Sequence, residues 1–380
     1  MASLYIHIPF CAQKCVYCDF YSLSTVSLGN SSHALIERFL SALEMEIEHR
    51  SSDPKFSTEY QTLFLGGGTP SLFQPDQLIR ILDMIRTRFT LSPGAEITLE
   101  ANPGTVNSEA LQRLRAGGFN RISFGVQSFH DDDLRFLTRI HSASDAMQSI
   151  RDAYNSGFEN VSLDLIFSLP GQNLDRWKAN LDQAVELQPK HISCYSLILE
   201  LETPLFRMVQ ANQVAMLDPS EDAEQYEYTM KHLSSHGFQQ YEVSNFALKG
   251  YQCLHNLNYW NHTSYLGLGP SAHSFWGRRR WWNVSDLQSY CAQVEGHLLP
   301  VGGEEVLNDD QILEEKLFLG LRSEGVDRAL FGGVAEEKKI KQEQKIQELV
   351  THGFAVYEAD RFRLTSKGYL ICDEICASIV

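Results

Sequence analysis

Short apolar runs rich in β-branched residues alternate with segments of helical periodicity over the first 247 residues. Such alternation predicts βα units around a parallel sheet. The strands are predicted at Leu4–Ile8, Thr62–Leu65, Glu96–Glu100, Arg121–Val126, Val161–Phe167 and His191–Leu199, with a further one at Gln240–Ser244. The helices are predicted at Ala34–His49, Gln77–Phe89, Ser108–Arg115, Ala143–Asn155, Leu174–Leu187 and Glu221–Ser234.

Six βα units are too few to close an eight-stranded barrel, but they can form most of one. The pattern therefore predicts an α/β domain over residues 1–247, built as a partial (β/α)6 barrel of the TIM type with helices outside and a concave inner face. An open, doubly wound sheet is the alternative that the same alternation allows.

The pattern changes at residue 248. Over residues 248–303 aromatic side chains cluster, and Gly267, Gly269 and Pro270 interrupt any helix. This composition predicts a loop and hairpin region that covers another part of the molecule.

Residues 304–380 return to a charged, helical pattern, with helices predicted at Asp309–Arg322 and Glu336–His352. Two short strands joined by a turn at Ala359 and Asp360 follow. Helix, helix and two-stranded wing predict a small C-terminal α+β domain of winged-helix-like type.

Charge narrows the possible partners. The 380-residue chain carries 32 Lys and Arg against 48 Asp and Glu, a net charge of −16, and from Glu305 onward it has 10 basic against 15 acidic residues. Such a surface repels phosphate backbones, so no nucleic-acid partner is expected, even for a winged-helix-like domain. No run approaches the ~18 apolar residues of a membrane span, and the N-terminus lacks the pattern of a signal peptide. These features predict a cytoplasmic protein.

Three of the eight cysteines, Cys11, Cys15 and Cys18, lie on one short stretch directly after the first predicted strand. Zinc would want a fourth ligand from a second Cys or His pair, and no such pair follows. Three thiolates on one loop suit a cubane 4Fe-4S cluster with one iron left open for a chelating molecule. A zinc loop or three unrelated thiols are the alternatives.

The run C-A-Q-K-C-V-Y-C resembles the C-x3-C-x2-C signature of the radical S-adenosylmethionine (SAM) enzymes, with Tyr17 as the aromatic residue before the last cysteine. The resemblance implies that SAM chelates the open iron and that one electron cleaves it to a 5′-deoxyadenosyl radical. The chain resembles the coproporphyrinogen-oxidase-like branch of that family over nearly its whole length. The resemblance lies in FLGGGTPS (Phe64–Ser71), ITLEANPG (Ile97–Gly104), RISFGVQSF (Arg121–Phe129), LTRIH (Leu137–His141) and LDLIFSLPGQ (Leu163–Gln172).

This resemblance implies a set of residues around SAM: Tyr5, Tyr17, Gly67, Gly68, Thr69, Glu100, Gln127, Arg139 and Asp164. The glycines end the second strand, where absent side chains let the backbone approach a ligand. Asp164 interrupts an apolar run and would be costly to bury unpaired, which favours a functional or paired role. Arg139 taken alone reads as a helix-end cation, and Tyr5 as a core residue.

Two sequence features separate the oxidases of this branch from this chain. The oxidases have a fourth cysteine where this chain has Phe20, and a longer segment before the cluster. HNLNYW at His255–Trp260 instead resembles the haem chaperones of the branch. That resemblance implies a protein that binds haem or porphyrin and delivers haem to respiratory haem proteins, with an iron-storage or electron-donor protein and the membrane surface as further contacts. An oxygen-independent coproporphyrinogen III oxidase is the alternative.

A histidine can ligate haem iron, while Tyr and Trp can form a flat apolar wall. His255 is the predicted haem ligand with Tyr259 and Trp260 as the wall, and His262 and His273 are weaker candidates. In the alternative, His255 only hydrogen-bonds a loop. The basic run Arg278–Arg280 is a further candidate, because guanidinium groups pair well with haem propionates, although a solvated turn explains it equally well.

Overall fold

The chain folds into alternating strands and helices followed by a smaller C-terminal body, and the computed structural model describes residues 2–333, 336–358 and 360–379. The strands are β1 (Ala2–Ile8), β2 (Phe10–Cys11), β3 (Leu23–Ser24), β4 (Glu59–Gly67), β5 (Thr90–Ala101), β6 (Arg121–Gln127), β7 (Asn160–Phe167), β8 (His191–Ser196), β9 (Gln239–Gln240), β10 (Asn245–Ala247), β11 (Tyr265–Leu268), β12 (His273–Trp276), β13 (Arg279–Asn283), β14 (Val301–Val306), β15 (Val326–Asp327), β16 (Ala355–Glu358) and β17 (Arg361–Leu364).

The helices are α1 (Thr25–Leu28), α2 (Ser32–Ser51), α3 (Pro75–Arg88), α4 (Ser108–Gly117), α5 (Asp131–Phe136), α6 (Ala143–Asn155), α7 (Leu174–Glu186), α8 (Pro204–Gln210), α9 (Pro219–Ser235), α10 (Leu254–Trp260), α11 (Leu287–Glu295), α12 (Asp309–Leu321), α13 (Glu336–Thr351), α14 (Ser366–Tyr369) and α15 (Cys372–Ile379). Within the described ranges, no helix is long and apolar enough to cross a membrane.

One sheet organises about the first four fifths of the chain. Its 12 strands lie in the order β14-β13-β12-β11-β1-β4-β5-β6-β7-β8-β10-β9 within the described residues. Every neighbouring pair from β11 to β8 is parallel. The strands β1, β4, β5, β6, β7 and β8 follow chain order without the reversal that defines a doubly wound sheet. The predicted partial (β/α)6 barrel is therefore confirmed, and the open alternative is wrong.

The apolar runs form these strands because parallel strands are covered on both faces. In β1, for example, Leu4, Ile6 and Ile8 are fully buried. The helices show the 3.6-residue period instead: α3 starts at Pro75 with a capping box and buries Leu78 and Ile85 against the sheet.

The predicted strand Gln240–Ser244 is wrong. Residues 241–244 connect β9 to β10; β10 pairs antiparallel with β8, and β9 pairs antiparallel with β10 at the edge of the sheet. The Glu242 carboxylate accepts a hydrogen bond from the backbone N–H of Ser244 at 3.1 Å, which stabilises a turn instead of an extended ladder.

Residues 248–303 contribute more regular structure than their composition predicts. Strand β11 pairs in parallel with β1 on the side opposite β4, and β12, β13 and β14 continue as an antiparallel meander. The division at residues 247 and 248 stays a prediction, because the sheet continues across it.

The C-terminal body is an α+β unit of the predicted winged-helix-like type. A three-stranded sheet in the order β15-β17-β16 packs with α12, α13 and α15 around its own apolar core, which includes Leu321, Ile346, Phe362 and Ile375. Sequence reasoning missed β15, α14 and α15. Ala359 of the predicted turn lies outside the described residues.

Candidate functional site

The segment from Cys11 to Cys18 begins at the last residue of β2 and is held against two other parts of the barrel. The backbone N–H of Val16 donates to the Thr138 hydroxyl at 3.2 Å, and the Val16 carbonyl accepts from the N–H of Leu205 at 2.9 Å. Tyr17 packs into a small apolar cluster that includes Leu205. These contacts fix the loop that carries the three thiols.

Two of the thiols accept hydrogen bonds from residues of the predicted SAM set. Thr69 Oγ1 donates to Cys11 Sγ at 3.5 Å, and Arg139 Nη1 donates to Cys15 Sγ at 3.4 Å. Asn102 joins these two donors: its Nδ2 donates to Thr69 Oγ1 at 3.0 Å, and its Oδ1 accepts from Arg139 Nη2. We call Cys11, Thr69, Asn102, Arg139 and Cys15 the thiol network.

Asn102 is not among the site residues predicted from the sequence, although it lies in the run ITLEANPG. The signal was available, because Asn102 lies two residues beyond Glu100 and directly after β5, at the strand end where barrel enzymes place their chemistry.

The three thiols supply the ligand chemistry that an iron–sulfur cluster needs. All three cysteines are half-buried and free of disulfides. In the described part of the chain no three acidic, His or Cys side chains converge as ligands of one metal ion. Burial, followed by repulsion from Cys15 and Cys11, raises the pKa of Cys18 to about 11, and bound iron would offset that charge.

The glycine loop packs closely against the chain that leads to the cysteines. Gly67 has φ +104°, and a Cβ there would lie 2.6 Å from the His7 ring; a Cβ on Gly68 would lie 2.6 Å from the Phe10 carbonyl oxygen. Local packing therefore requires glycine at both positions. This requirement is separate from the close approach of a ligand that the sequence suggests. The Gly67 N–H also donates to Glu100 Oε2 at 3.2 Å.

Two carboxyl groups lie inside the barrel. Burial, then the neighbouring Asp164, raises the pKa of Glu100 to about 8, so Glu100 is largely neutral at pH 7. Burial also raises the pKa of Asp164, whose oxygens accept hydrogen bonds from Ser193 at 2.7 Å and Ser123 at 3.2 Å. Asp164 is thus paired, by serines on the two flanking strands. Gln127 ends β6 with φ +67°, a left-handed conformation that is unfavourable for residues other than glycine.

A cavity of about 970 Å³ opens beside these groups, which we call the mouth cavity. That volume suits a sizeable organic ligand. Four parts of the chain line the cavity: the barrel (Tyr5, His7, Gly67, Glu100), the residues directly after Cys18 (Asp19, Phe20, Tyr21), the aromatic region (Tyr259, His262, Thr263, Tyr265, Ser271, His273, Phe275, Arg280) and α12 (Glu314, Glu315, Phe318, Leu319). Parts of the predicted SAM and haem sets therefore share one cavity.

His255 does not line this cavity. It is buried at the start of α10, where the Glu96 carboxylate accepts from its backbone N–H at 3.1 Å. Its Nδ1 lies 2.7 Å from Thr62 Oγ1 and its Nε2 lies 2.9 Å from the Tyr259 hydroxyl. Burial lowers the pKa of His255 to about 3. Ligation of iron by His255 would break one of these bonds, so the structure favours the alternative in which this residue is structural.

Tyr259 and Trp260, the two residues predicted to form an apolar wall for haem, lie in different surroundings. Tyr259 lines the mouth cavity, whereas Trp260, the last residue of α10, is partly buried and is not among the described lining residues. The run forms a helix and not a loop, because Glu96 from β5 accepts the N–H groups of Leu254 and His255 at its N-terminus.

The basic run Arg278–Arg280 is already paired with carboxylates. Arg278 pairs with Asp309 and Arg279 with Glu304. Arg280, which lines the mouth cavity, pairs with Glu305 at 3.0 Å and with Glu315. The hypothesis of a three-arginine propionate site is not favoured, because only Arg280 faces the cavity.

A sequential partial barrel with three cysteines on the loop after its first strand defines a radical SAM protein. The model of the radical SAM superfamily matches residues 5–184. The chain is also 25% identical to the solved structure of coproporphyrinogen III oxidase HemN from Escherichia coli, a radical SAM enzyme, with a TM-score of 0.84 over 100% of this chain and 89% of that one.

Curated relatives refine the class. The chain is 36% identical to heme chaperone HemW of Mycobacterium tuberculosis over 99% of this chain and 94% of the relative. It is 38% identical to heme chaperone HemW of Bacillus subtilis, over 87% and 86%. The chain belongs to the HemW family. Membership confirms the branch suggested by Phe20 and HNLNYW, and the family implies a 4Fe-4S cluster and SAM as cofactors.

Proposed function

We propose that this protein is a haem chaperone: it binds haem in the mouth cavity and passes it to respiratory haem proteins. The observation that carries the proposal is the cavity itself, whose volume of about 970 Å³ is bordered by Phe20, Tyr259, Tyr265, Phe275 and Phe318. Aromatic walls suit a flat macrocycle, and the histidines among them can supply a ligand to its iron. The names of the curated relatives point the same way.

The second part of the proposal concerns the cofactors. Cys11, Cys15 and Cys18 would hold the 4Fe-4S cluster, and SAM would lie against the predicted set, with Tyr5, Gly67 and Glu100 at the cavity wall. When bound, this pair supplies one-electron chemistry. Arg139 sits beside Cys15 with its charge available to a carboxylate such as that of SAM. Glu100, largely neutral, can donate as well as accept hydrogen bonds.

Haem titration tests the main proposal. The anaerobically reconstituted full chain should show saturable haem binding in difference spectra, and the loaded protein should restore activity to membranes that carry a haem-free respiratory oxidase. Absence of any saturable spectral change would refute haem binding. Binding without transfer would refute the delivery step.

The alternative, an oxygen-independent coproporphyrinogen III oxidase, draws support from the similarity to HemN of Escherichia coli. It is opposed by Phe20, which stands where the oxidases have a fourth cysteine. Incubation with coproporphyrinogen III, SAM and a reductant decides between them. Formation of protoporphyrinogen would establish the oxidase, and we expect none.

The setting follows from delivery to membrane-bound respiratory proteins. We place the protein in the cytoplasm, with contact at the membrane surface and with an electron-donor or iron-storage protein. No nucleic-acid partner is proposed, because the C-terminal part from Glu305 has 15 acidic against 10 basic residues.

A further inference from the structure

One face of the β12–β13 hairpin is turned toward the mouth cavity. Residues directly opposite on paired strands share a face. The register pairs His273 with Trp282, Phe275 with Arg280, and Phe275 with Tyr265 across β11. We call these five side chains the ligand face; four of them line the cavity, and the fifth, Trp282, stacks on the His273 ring at 5.7 Å between centroids.

The alternate residues of the hairpin face the protein core. Ser274 and Trp281 are fully buried, and Trp281 packs on Phe56 with 6.1 Å between ring centroids. This packing, together with β11 and β14 on either side, holds the ligand face in place. A side chain on such a strand is positioned more rigidly than one on a loop.

Three histidines line the mouth cavity, and they differ in what their ring nitrogens already contact. His7 Nδ1 lies 3.1 Å from the Tyr5 hydroxyl, and His7 Nε2 lies 2.9 Å from the Tyr21 carbonyl oxygen. His262 Nε2 lies 2.8 Å from Glu315 Oε2. Only Nδ1, the ring nitrogen nearer the backbone, is then left to bind a metal.

His273 is different. Within the described residues neither of its ring nitrogens has a hydrogen-bond partner, and the side chain is only partly exposed, on the cavity wall. Burial, then the charge of Arg280, lowers the pKa of His273, so the imidazole is neutral at pH 7, the form that binds metal.

We propose that His273 ligates the iron of bound haem, with the macrocycle lying against the ligand face. The inference rests on the proposed haem-chaperone function and names the site of that function. Two further side chains fit a flat apolar ligand there: Phe20 from the cysteine loop is 64% exposed, and Phe318 from α12 is 41% exposed, although both border the cavity.

Charge orients the ligand. Among the described lining residues Arg280 is the only Arg or Lys, and it stands beside His273 on the ligand face. Asp19, Glu314 and Glu315 are acidic and disfavour a propionate elsewhere in the cavity. A propionate inside the cavity therefore lies at Arg280, where it competes with Glu305 and Glu315 for the guanidinium group.

The test compares haem binding of the full reconstituted chain with that of His273→Ala, His262→Ala and the control His33→Ala, an exposed histidine on α2. Wild type and His33→Ala should show the spectrum of histidine-ligated haem. His273→Ala should lose that spectrum and bind haem roughly tenfold or more weakly. Added imidazole should restore the spectrum in His273→Ala, because it replaces the missing ring.

Three outcomes contradict the inference. If wild type binds haem and His273→Ala keeps the same spectrum and affinity, His273 is not the ligand, although the proposed function stands. If His262→Ala alone loses the spectrum, the ligand is His262. If wild type binds no haem, the proposed function fails and the inference with it. An unchanged unfolding midpoint of His273→Ala, expected because the ring makes only a stacking contact, excludes a folding defect.

Discussion

Asn102 should control the electronic properties of the cluster, although it touches no cysteine. Its side chain accepts from Arg139 and donates to Thr69, and these two donate in turn to the thiols of Cys15 and Cys11. Replacement by Ala removes both bonds, which leaves Thr69 without this anchor and Arg139 held by the Gly125 carbonyl at 2.8 Å. Since hydrogen bonds to sulfur favour the more negative, reduced cluster, their weakening should lower its reduction potential.

The size of the effect follows from the bonds that are lost. A hydrogen bond to a charged group contributes about 1.5–3 kcal/mol and a neutral one about 0.5–1.5, so Asn102→Ala should destabilise the fold by about 2–4.5 kcal/mol. If about 1 kcal/mol of the loss falls on the reduced state alone, the potential drops by about 40 mV, given 59 mV for each tenfold change in a one-electron couple.

A matched control separates the two effects. Asn120 also uses both ends of its side chain, accepting from the Ile97 N–H at 2.8 Å and donating to the Ala95 carbonyl at 2.7 Å, but at the opposite end of β5. Asn120→Ala should destabilise the fold by about 1–3 kcal/mol, because both of its bonds are neutral, without changing the potential. Potentiometric titration and urea unfolding measure the two quantities. An unchanged potential in Asn102→Ala, or an equal shift in Asn120→Ala, would refute the reasoning.

Three further predictions concern the cluster and the buried titratable groups. Cys15→Ser should abolish the broad visible absorption of the reconstituted cluster, and its retention would contradict the ligand assignment. Folding raises the pKa of Glu100 from 4.5 to about 8, so ionisation of this carboxyl destabilises the wild-type fold as the pH rises through that window. In urea unfolding, Glu100→Gln should therefore gain stability relative to wild type between pH 4.5 and about 8. A difference that stays constant with pH would refute this. His255→Phe should lose about 2–4 kcal/mol, because Thr62 and Tyr259 each lose a partner. Since the pKa of His255 is lowered from 6.5 to about 3, wild type should also lose stability as pH falls through that window, and the Phe variant should not share this contribution; parallel pH profiles would contradict it.

The barrel was predictable from sequence because its signals are local. A buried parallel strand needs a continuous apolar run, as in Val161–Phe167, and the structure extends this strand by one residue to Asn160. An amphipathic helix needs the 3.6-residue period, as in Ala143–Asn155, and the structure has this helix with the same two ends. The strand predicted at Gln240–Ser244 failed for a local reason too, since the Glu242 side chain stabilises a turn that a propensity argument overlooks.

The place of β11 was not predictable in this way. Its run YLGL is short, and its parallel partner β1 lies some 260 residues earlier in the chain. HNLNYW was expected in a loop but forms a helix whose N-terminus is capped by Glu96, a residue 159 positions from His255. Local periodicity carries no information about such partners.

The sequence alone determined the chemistry that a family shares: the three cysteines, the glycine loop, the polar residues at strand ends, and Phe20 in place of a cysteine. Spacing along one loop is a property of the chain, so it can be read directly. Only the tertiary structure decided which histidine is available. His255 carries the more prominent motif, but its ring is satisfied by Thr62 and Tyr259, whereas His273 is left without a hydrogen-bond partner among the described residues. Availability depends on what packs around a side chain, and distant segments supply that packing.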